Sequence, residues 1–185
     1  MRNLELQDRV FKTTDKPAFI TCKDHKDNFR NSPTFRTINP RKGEVGRIAK
    51  KILSRILSDI KSKSNLQQME NVYSVIDWYK KLNNKKSLSF IIFDVVNYYP
   101  SITLELLEKA IKWAREFTII TDEEKNTLIQ SKQSLLFLKG AYWSKKGSNF
   151  DNAQGSYDGA ECCDLIGLYM LNEIKKYTDW SLDKP

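Results

Sequence analysis

The sequence predicts an α+β domain in which strands pack on helices. Three observations lead there. Gly43 to Lys63 places apolar residues three and four apart, the spacing of an amphipathic helix. Phe90-Ile91-Ile92-Phe93 is a continuous apolar run, as expected for a strand covered on both faces. Short strand-like segments and helical segments then follow one another along the chain without any repeat.

Ala18 to Lys23 and Thr34 to Asn39 read as two strands. The polar stretch Asp24 to Pro33 between them makes a two-stranded ribbon with a basic tip. The Gly43–Lys63 helix carries Val45, Ile48, Ile52, Leu53, Ile56, Leu57 and Ile60 on one stripe, with basic residues turned outward. Gln67 to Asn83 repeats the pattern with Val72, Val75, Ile76, Tyr79 and Leu82, and Asn84 to Lys86 breaks it. Ser87 to Val96 is the strongest strand, ended by Pro100. Thr103 caps a helix running to about Phe117. Thr121 starts another, with Glu124 completing a capping box. Leu135 to Trp143 and Asn149 to Ala153 read as strands around the turn Lys145-Lys146-Gly147, and a last helix spans about Tyr157 to Tyr177.

A chain of 185 residues is long enough for one substantial domain with its own core. No apolar run approaches the length that crosses a bilayer, and Met1 to Val10 is too charged for a secretory signal. An intracellular protein, cytoplasmic or nuclear and without a membrane partner, is expected. The three cysteines, Cys22, Cys162 and Cys163, have no zinc-site spacing and are expected as small, mostly buried apolar side chains. His25, the only histidine, forms no His-based metal site or catalytic triad by itself.

The net charge of +8 is unevenly placed. Met1 to Leu66 holds 16 Lys and Arg against 7 Asp and Glu, whereas Gln67 to Pro185 holds 15 against 16. The front of the chain therefore suits a polyanion, because cations near phosphates release counterions. A solvated basic surface is the competing reading.

Asp94 is the first candidate for chemistry. A carboxylate within an apolar strand is costly unless it is paired or binds a cation. At the end of a strand it stands beside the backbone carbonyl of Val95, and hard divalent cations prefer such oxygen donors. The structural alternative is hydrogen bonding to a helix start or a lysine. Gln154-Gly155 is the second candidate: Gly155 permits close backbone approach, and amides at the start of the next helix favour anions. Its structural alternative is an ordinary loop capped by Ser156 or Asp158.

Phe93-Asp94-Val95-Val96-Asn97-Tyr98-Tyr99-Pro100-Ser101-Ile102 resembles the first catalytic motif of reverse transcriptases. Gln154-Gly155-Ser156-Tyr157-Asp158-Gly159-Ala160-Glu161 resembles the family's later Gln-Gly motif. Lys23-Asp24-His25-Lys26 with Phe35-Arg36-Thr37-Ile38-Asn39-Pro40 resembles its fingers segment. The three matches keep family order over about Phe19 to Tyr169, and their wording looks closest to animal mobile-element enzymes.

The resemblance implies the fingers and partial palm of a right-hand polymerase, with a central antiparallel sheet packed on helices. Residues 1–86 would be the fingers-like basic ribbon and helices, and 87–185 the partial palm. It implies that Asp94, with the Val95 carbonyl, binds Mg2+. Tyr99, or Tyr98 in the other register, would lie under the nucleotide sugar as a gate against a 2′-hydroxyl. Arg36 would hold the triphosphate through its planar fork. Lys23 or Lys26 would add a second charge, Lys23 preferred as nearer the strand. Gln154 and Gly155 would back the template and incoming nucleotide.

An intact enzyme of this kind uses an RNA template, a DNA primer and a dNTP. The primer 3′-hydroxyl attacks the α-phosphate. The departure from the family is as plain: no two aspartates are adjacent anywhere in this chain. The family's aromatic-x-Asp-Asp hairpin is expected to start about where the sequence ends. Because two-metal catalysis needs several carboxylates, this polypeptide alone is expected to be inactive. A non-catalytic RNA- or DNA-binding protein derived from a retroelement polymerase is the alternative.

Overall fold

The computed structural model describes residues 18–25, 27–40, 43–66, 69, 71–87, 89, 94–133, 136–138, 141–143 and 146–177. Its architecture mixes helix and sheet. Strands β1 (Phe19–Cys22) and β2 (Phe35–Ile38) pair antiparallel, with Thr21 opposite Arg36 and Phe19 opposite Ile38. This is the expected ribbon, and the bond from the Lys23 amide to the Thr34 carbonyl (2.9 Å) extends it by one pair.

Helix α1 (Glu44–Lys63) follows the predicted stripe, burying Ile52, Leu53, Ile56, Leu57 and Ile60. Each fully buried aliphatic side chain contributes about 1.5–3 kcal/mol, so this stripe anchors the core. Not all of the basic residues opposite it simply face water. Arg55 reaches Glu124 (2.8 Å) and the Ile119 carbonyl (3.1 Å), and Lys63 donates to the Phe117 carbonyl (2.6 Å).

Helix α2 (Val72–Lys81) is shorter than the predicted Gln67–Asn83 helix, and Asn71 caps it by accepting from the Ser74 amide. Its apolar stripe of Val72, Val75, Ile76 and Tyr79 is exposed, contrary to the burial that its periodicity implies. Periodicity reports that a face is available for burial, not that a partner lies over it.

Of the segment predicted as the central strand, Ser87 to Val96, only Ser87, Ser89 and Asp94 to Val96 are described. Ser87 ends a 3-10 turn (Lys85–Ser87), Asp94 and Val95 are irregular, and Val96 and Asn97 form a turn. Phe90 to Phe93 lies outside the described residues. Just beyond the segment, Asn97 has a left-handed backbone (φ 54°), which a short polar side chain tolerates. The one-turn helix α3 (Tyr98–Ser101) follows, and Pro100 lies inside it rather than marking a stop.

Helix α4 (Leu104–Ala114) starts at the predicted cap, the Thr103 hydroxyl accepting from the Leu106 amide (3.2 Å). Helix α5 (Asp122–Ser131) has both halves of the predicted capping box between Thr121 and Glu124. Strands β3 (Leu136–Leu138) and β4 (Ala141–Trp143) form a second antiparallel pair inside the segment read as a single strand. The hairpin is therefore earlier than the predicted Lys145-Lys146-Gly147 turn, between two strands separated by only two residues. Asn149 to Ala153 is not a strand, and contributes only the bridge of Phe150 to Gln133.

Helix α6 (Gly159–Lys175) closes the fold. It packs on α1 and α4, and α5 also packs on α1. One buried cluster therefore joins Ile56 and Ile60 of α1, Leu107 and Ile111 of α4, Leu128 of α5, and Leu165 and Leu168 of α6. The described strands form two separate two-stranded sheets beside it. Among the described residues no helix is long and apolar enough to cross a membrane.

Candidate functional site

The segment from Asp151 to Asp158 joins the second hairpin region to α6 and carries Gln154-Gly155 at its tip. Its start is held where the Asp151 amide donates to the Lys132 carbonyl (2.9 Å). Its end is held where Lys132 Nζ meets Asp158 Oδ2 (2.8 Å), both side chains being only 1% exposed. Ser131 Oγ donates to the same carboxylate oxygen (2.6 Å). Asp158 stands at the N-cap position of α6 without making a side-chain cap bond, so the capping role open to it from sequence is not the one it has. Lys132, Asp158 and Ser131 escaped sequence reading because the pair spans 26 residues and neither partner carries a local signal.

The tip meets the ribbon. The Asn39 amide donates to the Gln154 carbonyl at 2.9 Å. Gly155 has φ 101°, and a Cβ there would lie 2.9 Å from Ile38 Cγ2 and 3.1 Å from the Asn39 carbonyl oxygen. Glycine is thus required twice over, for backbone conformation and for space. Ile38 faces the tip, and alternate residues of a strand share a face. Arg36 therefore lies on that same face, and so does its cross-strand partner Thr21. The pairing of Lys23 with Thr34 puts Lys23 there too. The structure thus brings Lys23, Arg36, Gln154 and Gly155 to one side of the ribbon. Lys26 lies outside the described residues.

Tyr98 and Tyr99 dock on the first turns of α6. The Tyr98 hydroxyl donates to the Cys163 carbonyl (2.7 Å). A Cβ on Gly159 would lie 2.7 Å from Ser156 Oγ and 3.2 Å from the Ala153 carbonyl oxygen, with Tyr99 Cε1 beside it at 3.4 Å. Burial raises both phenols above their ordinary range, reinforced by neighbouring Cys163. Burial also pushes the Cys162 thiol up to about 12 and the Cys163 thiol up to about 11. Both are buried, as expected of small apolar side chains, whereas Cys22 on the ribbon is exposed. Asn152 supports this corner, its amide donating to the Gly159 carbonyl (3.4 Å) and to Cys163 Sγ (3.3 Å).

Asp94 and Val95 are exposed, five and four residues before Tyr99 in the chain. No hydrogen bond or ion pair among the described residues engages the Asp94 side chain. Nor does any described bond join it to the ribbon or to the Gln154-Gly155 tip. Among the described residues no cluster of three His, Cys, Asp or Glu side chains could hold a metal ion. Asp94 with the Val95 carbonyl offers two oxygen donors, a set that fits one magnesium ion only when phosphate oxygens and water complete its octahedron.

The 151–158 loop thus meets the end of the ribbon at its tip, and the helix that follows it meets Tyr99 at Gly159. No family model, no curated protein and no solved structure matches this chain.

Proposed function

We propose that this chain carries the fingers and partial palm of a reverse-transcriptase-like polymerase, and that its ribbon face binds a nucleoside triphosphate. The observation that carries the reading is the meeting of three segments far apart in sequence. Ile38 and Asn39, at the end of the strand that carries Arg36, meet the Gln154-Gly155 tip, and Tyr99 packs beside Gly159 at the start of the helix that follows the tip. Those segments are the ones that carry the sequence resemblance.

Arg36 supplies a planar fork for phosphate oxygens and Lys23 a point charge beside it. Tyr99, packed beside Gly159, supplies a ring for the sugar. Magnesium, when bound with the triphosphate, would neutralise phosphate charge, and Asp94 with the Val95 carbonyl would hold it. One carboxylate does not support two-metal transfer. The chain by itself therefore binds nucleotide and nucleic acid without extending a primer.

Titration with a fluorescent 2′-deoxynucleoside triphosphate in magnesium tests this. Arg36→Gln and Lys23→Gln are each expected to weaken binding by about tenfold, the scale of one charge-assisted phosphate contact. Tyr99→Ala is expected to narrow the preference for deoxy over ribo sugar. Binding unchanged in both charge variants would overturn the proposal. The lone carboxylate also favours a second reading, a non-catalytic RNA- or DNA-binding protein. That reading expects salt-sensitive nucleic-acid binding that survives Asp94→Asn and ignores magnesium.

A further inference from the structure

We infer that Lys132 is a positioning residue that clasps the 151–158 loop at both ends and so holds the Gln154-Gly155 tip against the ribbon. Lysine is almost never fully buried unless paired, yet the Lys132 side chain is 1% exposed. A buried ion pair is a poor substitute for apolar packing if burial is all that a position requires. What the pair adds is direction.

The backbone carbonyl of Lys132 receives the Asp151 amide (2.9 Å), and its ammonium reaches Asp158 Oδ2 (2.8 Å) and the Asp158 carbonyl (3.4 Å). One residue at the end of α5 therefore fixes both the entry and the exit of the loop. Between those anchors lies the Gln154 carbonyl, which accepts from Asn39 at the end of β2. Asp158 Oδ1 is buried without a hydrogen-bond partner among the described residues, so Lys132 and Ser131 carry the carboxylate between them. The proposed nucleotide site gives the clasp its purpose, but the geometry of the clasp stands apart from that reading.

Amide hydrogen exchange by NMR on the full chain tests it. The double variant Lys132→Met with Asp158→Leu removes both charges and leaves neither buried alone. Its Asn39 amide is expected to exchange at least tenfold faster than in the wild type, while amides inside α4 keep their protection. Ser131→Ala, a far milder change, is expected to speed Asn39 about threefold and decides the matter if the double variant does not fold. Asn39 protection equal to wild type in a folded variant, or lost only in step with α4, would overturn the clasp. Nucleotide titration of the same wild-type sample separates the two ideas: absent binding sinks the polymerase reading, while the role of Lys132 still stands or falls on the exchange rates alone.

Discussion

Gly155 shows how much of the candidate site depends on one missing methyl group. Its φ of 101° lies in the region that L side chains avoid, and a Cβ would press on Ile38 at 2.9 Å and on the Asn39 carbonyl at 3.1 Å. Ile38 can turn aside, but the carbonyl belongs to backbone already bonded to Gln154. Gly155→Ala is therefore expected to lower stability by about 2–3 kcal/mol, combining strain and overpacking. Gly147 separates the two effects, since it also has positive φ (79°) but nothing within 4 Å of a Cβ. Gly147→Ala should cost only about 1 kcal/mol from backbone strain. Urea midpoints measure both, and equal losses at the two glycines would mean that the tip does not press on the ribbon. The glycine itself was legible as a point of close approach; that the neighbour is Ile38, more than a hundred residues earlier, was not.

At the scale of elements, local signals and tertiary partners part company. The caps at Thr103 and Thr121 and the stripe of α1 were legible because each is decided within a few residues. The second hairpin was misplaced because a run such as Leu135 to Trp143 pairs with itself only if the chain turns within it, which periodicity cannot say. Helix α2 is the sharpest case: its stripe resembles that of α1, but Ile56 is wholly buried while Ile76 is 41% exposed. Ile56→Ala is expected to cost about 2–5 kcal/mol, the range for a core cavity. Ile76→Ala should change stability by no more than about 0.5 kcal/mol. Thermal or denaturant unfolding of the two variants checks the contrast, and a large loss at Ile76 would show that α2 is covered in solution.

Across the whole molecule, charge and burial converge on the start of α6. Several cations of the basic front half are engaged within the chain: Arg47 with Glu44, Lys50 with Glu161, Arg55 with Glu124, and Lys63 with a carbonyl. By sequence α1 nonetheless holds more of the front-half surplus than the ribbon, with six Lys and Arg against two Asp and Glu over 44–63 and four against two over 18–39. The first turns of α6 and the tyrosines docked on them hold groups that resist ionisation, Cys162 and Cys163 together with Tyr98 and Tyr99. Their pKa values are raised in the folded chain, so above the ordinary thiol value the unfolded chain holds fewer protons than the folded one. Stability must then fall with rising pH, at about 1.4 kcal/mol per pH unit for each thiol that titrates only on unfolding. For Cys162 the window opens near its ordinary value of 9.0 and closes at about 12. Below that window the contribution is fully present. Urea midpoints between about pH 7 and about pH 10.5 should be level at first and then decline, and Cys162→Ala should make the decline shallower. A decline identical in Cys162→Ala would show that this thiol is not held protonated by the fold. Because Cys163 is bonded to Tyr98 and to Asn152 of the loop, alkaline loosening is expected to reach the loop before α4, visible as earlier loss of protection at Asn39 than in α4.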